Sequence, residues 1–163
     1  MKISTRGRYG LRAMVDIAIN SSGKPVSIKS IAERQNISEA YLEQVFSSLR
    51  KAGLLKAVRG AYGGFEINRP ADKITAGEIL RSLEGPLETV QCTGCQKAEA
   101  KEEAPSGSGR IIKNCGTYSF WKNLNTLIND YMDSITLQNL ADDYNTDYNK
   151  SGLTAKKNNK ITI

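Results

Sequence analysis

One stretch, SEAYLEQVFSSLRKAG at residues 38–53, narrows the possible folds of this chain more than any other. Ser38 can cap a helix and Gly53 can end one. Between them Leu42, Val45, Phe46 and Leu49 recur at helical spacing on one side. Glu43, Gln44, Ser47, Arg50 and Lys51 fall on the other, with Tyr41 near the helix start. The residues just before supply a shorter helix, with Ser27 as its cap and Ile28, Ile31 and Ala32 as its apolar side. Gln35-Asn36 makes the turn, and Ile37 plugs the space between the two helices. Two short helices joined tightly, the second with a polar outer face, form a helix-turn-helix. An ordinary helical hairpin with a solvated face has the same pattern. An earlier helix is predicted from Leu11, Met14, Val15 and Ala18, closed by Ser21-Ser22-Gly23 and Pro25.

The next segment separates the two readings. LLKAVRGAYGGFEINRP, residues 54–70, alternates in its flanks and turns on Gly60, Gly63 and Gly64, which predicts a β-hairpin. A hairpin directly after a helix-turn-helix is the wing of a winged helix. Arg59 lies at its base, where it can enter a minor groove or meet phosphate. Gly60 lets the backbone approach a sugar–phosphate chain. The N-terminal part of the second helix would reach base edges in a major groove, where Gln pairs with adenine and Glu with the cytosine amino group.

Charge supports a polyanionic partner. Residues 1–70 hold 12 Lys/Arg against 5 Asp/Glu, whereas residues 71–163 hold 11 against 12. The positive excess therefore sits on the segment that reads as a winged helix. The first twenty residues, with Arg6, Arg8 and Arg12 spread through them, do not read as a signal peptide, and no apolar run approaches the length of a membrane span. The expectation is a cytoplasmic protein.

Beyond the wing, Thr75-Ala76-Gly77-Glu78 has the form of a capping box, opening a helix through Ile79, Leu80 and Leu83 that ends at Gly85-Pro86. Residues 96–116 are polar, with Pro and Gly breaks, and read as a loop. A long helix is predicted from Thr117. On it Trp121, Leu124, Ile128, Tyr131 and Ile135 lie 3, 4, 3 and 4 residues apart, the spacing of a coiled-coil seam between two subunits. Packing of that face on its own domain is the alternative. ITLQNLADDY continues beyond, and the last residues form a basic tail expected to be disordered. The expected fold is mainly α. A winged helix-turn-helix with a small hairpin wing occupies 1–85, a cysteine-bearing sensor loop 86–116, a dimerisation helix 117–145 and the tail 146–163.

The cysteines pose the chemical question. Cys92 and Cys95 lie in VQCTGCQ and Cys115 follows in KNCGTYSFW, and the chain has no histidine. In a reducing compartment three cysteines point to metal binding or redox sensing more than to structural disulfides. A structural zinc site takes four protein ligands and meets a shortage here. A reversible Cys92–Cys95 disulfide needs no metal. A thiol oxidoreductase would place its CxxC at a strand-to-helix junction in a βαβ setting, which this sequence lacks, so an enzyme is the remote reading.

Taken together, STRGRYGLRAMVDIA, SIKSIAERQNISEAYLEQVFSSLRKAGLL, VRGAYGGF and CGTYSFWKNLNTLINDYMDSITLQNL resemble the IscR-type (Rrf-two) family of winged-helix regulators. The resemblance runs from Met1 to about Ala141. It implies a homodimeric repressor or activator that binds double-stranded DNA at a pseudo-palindromic operator. It implies that ISEAYLEQ is the reading helix, with Ser38, Tyr41, Glu43 and Gln44 near DNA and Arg59 and Gly60 in the wing. It implies that Cys92, Cys95 and Cys115 hold an iron–sulfur cluster sensing cluster, redox or nitric oxide status, 2Fe–2S favoured and 4Fe–4S possible. Other members act as regulators of cysteine supply through a metabolic-enzyme partner, which leaves a thiol switch or zinc site as the alternative. The sequence departs from the family at the fourth ligand. Where cluster-assembly regulators carry a histidine three residues after the last cysteine, Tyr118 stands here. Some relatives recruit a carboxylate from the partner subunit's first helix, and on this first helix the earliest acid is Asp16.

Overall fold

The computed structural model describes residues 3–60, 62–90 and 116–146. Cys92, Cys95 and Cys115, with residues 91–115 of the expected loop 86–116 and residues 147–163 of the expected tail 146–163, lie outside the described residues.

Side-chain caps open the helices of the N-terminal half. α1, Thr5–Asn20, starts at Ser4, whose hydroxyl accepts from Arg6 N and Gly7 N. α2, Ile28–Gln35, and α3, Glu39–Lys51, start at Ser27 and Ser38 in the same manner. Each cap satisfies backbone N–H groups that have no partner within the helix. Asn36 closes α2 with φ 53°, its N–H donating to Ala32 O, and Gly53 follows α3 with φ +73°. The turn between the two helices is therefore tight, and Ile37 is buried in it, 8% exposed.

β1, Leu55–Val58, and β2, Gly64–Ile67, pair antiparallel with Leu55 opposite Ile67 and Val58 opposite Gly64. The sequence pattern did not reveal a third partner. Val26 N donates to Phe65 O at 3.0 Å and Phe65 N to Val26 O at 2.8 Å, so the residues before α2 extend the hairpin. That approach leaves no room at Gly64, where a Cβ would lie 2.6 Å from Val26 C. Phe65 also packs edge-on against Phe46 of α3, ring centroids 4.6 Å apart. The hairpin is thus fixed to α3 through the core.

That core joins Met14 and Ile17 of α1, Ile31 of α2, Leu42, Val45, Phe46 and Leu49 of α3, then Leu54, Ile74 and Ile79. The predicted faces of α2, α3 and α4 (Ala76–Glu84) match their buried residues. The α1 face is shifted. Its buried side runs through Gly7, Gly10, Ala13, Met14 and Ile17, while Leu11, Val15 and Ala18 are half-buried at its edge. The reason is α4, which packs on the glycine side. A Cβ on Gly10 would overlap Leu83 Cδ1, and one on Gly7 would sit 2.6 Å from Glu84 Oε1. Glu84 accepts from Gly7 N at 2.8 Å and from the Ser4 hydroxyl at 2.5 Å, a carboxylate at the positive end of α1.

α5, Tyr118–Ser134, corrects the expected single seam. The seam straddles two different edges. Ile128 and Met132 pack on Leu80 and Leu87 of the same chain. Phe120, Leu127 and Tyr131 are 61%, 66% and 69% exposed. The apolar stripe is wider than an a/d row, and α4 covers only one side of it. Ile135 is not part of the helix: its carbonyl accepts from Ala76 N at 2.8 Å. A second helical run, residues 137–146, starts after this break. Thr136 and Asn139 cap it reciprocally, Thr136 N donating to Asn139 Oδ1 at 3.0 Å and Asn139 N to Thr136 Oγ1 at 3.1 Å. The expected helix over 117–145 is therefore two helical runs, and Leu137, 0% exposed, returns the chain to the main core. Among the described residues no helix is long and apolar enough to cross a membrane.

Candidate nucleic-acid interface

α3 presents the predicted polar face. Glu43 and Gln44 are exposed and carry no side-chain hydrogen bond or ion pair among the described residues. Their donors and acceptors are available to a ligand. Ser38 is exposed and its oxygen accepts from Tyr41 N at 3.3 Å, which leaves its hydroxyl proton and one lone pair for an outside partner. Tyr41 is half-buried and meets Tyr9 of α1 edge-on, centroids 5.9 Å apart at 87°. Its ring is thus part support and part surface. Glu39 in the first turn and Arg50 and Lys51 in the last complement the helix dipole.

In the wing, Arg59 is exposed and unpaired among the described residues. Gly60 has φ +120°, a conformation side chains rarely adopt, and its carbonyl accepts from Gly63 N at 2.9 Å. Tyr62, 93% exposed, stands in the turn. Nothing in the periodicity singled it out, although an aromatic inside a glycine turn has no core to fill. Replacing Arg59 with Ala should weaken DNA binding by a similar factor for all sequences and flatten the plot of log affinity against log salt by about one unit, measured by fluorescence titration across a salt series. A loss confined to certain base pairs would assign Arg59 to base reading instead.

Between α1 and α2 lies a buried polar cluster. Asp16, 4% exposed, sits among apolar residues of α1. Arg34 of α2 grips its carboxylate with Nε at 3.0 Å and Nη2 at 2.6 Å, and Gln35 Nε2 adds a bond at 2.8 Å. The hydrogen bond to Asp16 raises the Arg34 pKa above its ordinary value. A lone acid inside MVDIAI was the only sequence signal. Asp16 is therefore committed to its own chain, and on this geometry it does not offer a carboxylate to a partner's cluster.

The three cysteines fall outside the described residues, among which no group of three or more His, Cys, Asp or Glu side chains could hold a metal. Close to them in sequence, the Tyr118 hydroxyl is buried and has no hydrogen-bond partner among the described residues. α5 also grips the chain that leads into the cysteine segment. Asn125 Oδ1 accepts from Thr89 N at 3.1 Å and Asn129 Nδ2 donates to Leu87 O at 3.2 Å. Arg81 of α4 reaches Asn129 Oδ1 at 3.1 Å and pairs with Asp133.

A capped helix-turn-helix with a free polar face, followed by a hairpin packed on its second helix, defines a winged-helix DNA-binding regulator. A family model described as Rrf2, iron-dependent transcriptional regulator, matches residues 3–143. The chain belongs to the Rrf2 family. It is similar to IscR of Vibrio campbellii, 39% identical over 143 residues that cover 88% of this chain and 79% of the relative. The solved structure of CymR, the global cysteine regulator of B. subtilis, is 41% identical, with TM-score 0.68 over 87% of this chain and 97% of that one. T. potens IscR is 40% identical, with TM-score 0.68 over 88% of each. The chain is a transcriptional regulator, not a thiol oxidoreductase.

Proposed function

We propose that this regulator acts as a cytoplasmic homodimer on a pseudo-palindromic operator and that Cys92, Cys95 and Cys115 are its sensor. The observation that supports the DNA reading best is the free polar face of α3, Glu43 and Gln44, projecting from a helix whose other side is fully buried. Ser38, Tyr41, Arg59 and Gly60 complete the proposed contact surface. Winged-helix regulators commonly read paired half-sites as two-fold dimers, and the exposed row Phe120, Leu127 and Tyr131 on α5 is the surface we assign to the second subunit. Leu127→Asp should yield folded monomers in sedimentation, with operator affinity reduced at least tenfold. Ile128→Asp should instead destabilise the chain, because that side chain packs against its own Leu80–Leu87–Met132 cluster. A dimeric Leu127→Asp protein at low micromolar concentration would move the interface elsewhere.

The donor set suits an iron–sulfur cluster held by three thiolates. Soft sulfur ligands are present, histidine is absent, and the buried Tyr118 hydroxyl is an oxygen without a partner among the described residues. Asp16 is removed from the set by Arg34. Such a cluster supplies sensitivity to oxidants and nitric oxide, with 2Fe–2S favoured and 4Fe–4S compatible with incomplete protein ligation. The chain's own part is mechanical. α4 touches α1 through Glu84 and α5 through Arg81, so it joins the cysteine-bearing end to the DNA-reading half. Anaerobic purification followed by an absorption spectrum and iron, sulfide and zinc counts tests this reading. Iron and sulfide in equal amounts support it. Metal-free protein that cannot be reconstituted overturns it.

The likeness to CymR favours a second reading, a regulator of cysteine supply that works by a thiol switch or with a metabolic-enzyme partner. In that case oxidant alone would change DNA binding of iron-free protein.

A further inference from the structure

We propose that Arg12 and Gln35 are positioning residues for sequence reading, forming a bracket by which α1 sets the pose of α3. The inference rests on α3 being the DNA-reading helix. Gln35 is the last residue of α2 and precedes the left-handed Asn36 that redirects the chain into α3. Its two side-chain atoms are both engaged by α1. Nε2 donates to the buried carboxylate of Asp16 at 2.8 Å, and Oε1 accepts from Arg12 Nε at 3.1 Å. The first bond selects the amide orientation that the second requires. Arg12 adds a second prong, Nη2 to Gln35 O at 3.1 Å, on a carbonyl at the α2 C-terminus that has no partner within the helix.

The bracket also reaches α3. The Arg12 guanidinium carbon lies 5.6 Å from the Tyr9 ring centre, and Tyr9 packs edge-on against Tyr41 in the first turns of α3. One exposed arginine therefore touches the end of α2 and the aromatic that supports Tyr41. Asp16, held by Arg34 as well, is the fixed point of the assembly. Arg12 and Gln35 are not members of the apolar core, although Tyr9 and Tyr41 pack against it. The bracket's geometric consequence is the angle and advance of α3 relative to α1, which decides where Glu43 and Gln44 meet base edges. Misplacing them by a fraction of an ångström weakens bidentate base contacts and leaves phosphate contacts intact.

The test uses the full-length protein and its selected operator, with a panel of single-base operator variants and a salt series for Gln35→Leu, Arg12→Lys, Arg12→Ala and the double variant Arg12→Ala/Gln35→Leu. Gln35→Leu changes no charge. The expected result is a three- to tenfold fall in preference for the operator over its base variants, the range of one or two ordinary hydrogen bonds, with an unchanged salt slope. Arg12→Lys keeps the charge but not the fork, so it should fail to restore discrimination. The double variant should be no worse than the more damaging single one. Arg12 as a direct phosphate ligand predicts the reverse: a uniform affinity loss and a flatter slope for Arg12→Ala, rescue by Arg12→Lys and no effect of Gln35→Leu. That pattern overturns the proposal, as does full discrimination in Gln35→Leu. Thermal melts confirm that each variant is folded. Absence of sequence preference in the wild type would instead defeat the DNA-reading role of α3 itself.

Discussion

Leu137→Ala is expected to cost about 2–5 kcal/mol of folding stability, the range for truncating a buried leucine. Leu137 is 0% exposed and lies in the same cluster as Met14, Phe46 and Ile79, although it follows α5. Its backbone N–H also donates to Ile74 O at 2.8 Å, so the side chain and the main chain together hold the end of α5 to the start of α4. The expected consequence is therefore more than a cavity: the α4–α5 connection should loosen as well. Urea denaturation followed by far-ultraviolet circular dichroism measures the loss. Lys122→Ala, exposed on α5 and outside the row assigned to the second subunit, serves as the internal control and should change the stability by less than about 0.5 kcal/mol. Equal effects of the two substitutions would mean that the C-terminal run does not share the winged-helix core.

The second large effect concerns the cysteines. Cys92→Ala, Cys95→Ala and Cys115→Ala should each remove most of the bound iron and sulfide, because a three-thiolate site has no ligand to spare. All three should leave the winged helix folded, since its core draws on Leu42, Val45, Phe46 and Leu49. Each should show the DNA preference of wild-type protein stripped of iron. The thiol-switch reading predicts another pattern, in which Cys92 and Cys95 matter, Cys115 is dispensable, and oxidant acts without iron. Tyr118→Phe accompanies this set. A changed absorption spectrum would connect the buried hydroxyl to the site, and an unchanged one would remove Tyr118 from the ligands.

What could be read directly from the chain follows the range of the forces involved. Capping and helical faces are local. Ser38, the Leu42–Val45–Phe46–Leu49 face, the Asn36 turn and the Thr75 cap were legible because each involves residues within one or two turns of each other, whereas the Glu78 carboxylate of the expected box pairs with Arg69 instead. The hairpin was legible from its glycines. The misjudged features depend on distant residues. The α1 face turned toward α4 because Gly7 and Gly10 admit a close approach that an apolar count overlooks. The α5 stripe divided because Leu80 and Leu87 claim one edge of it. In the sequence Asp16 is no more than the earliest acid of the first helix, and its partners Arg34 and Gln35 show why a carboxylate is stable there. The identities of the cysteines fixed a short menu of chemistry, sulfur coordination or thiol oxidation. The menu cannot be narrowed by periodicity, since ligand geometry is set by the folded chain and not by spacing.

The central claim is that α3 reads operator sequence within a two-fold dimer, and one measurement tests it most directly. Purified protein would be used to select binding sites from a random-sequence duplex library, in parallel for wild type and Glu43→Ala, with deep sequencing of the enriched pools. Wild type should enrich a motif with two inverted half-sites about one helical turn apart. Glu43→Ala should retain the half-site spacing while losing preference at particular, symmetry-related base pairs by roughly 1–3 kcal/mol each. No enriched motif for wild type, or an identical motif for the two proteins with only a uniform drop in affinity, would contradict the account.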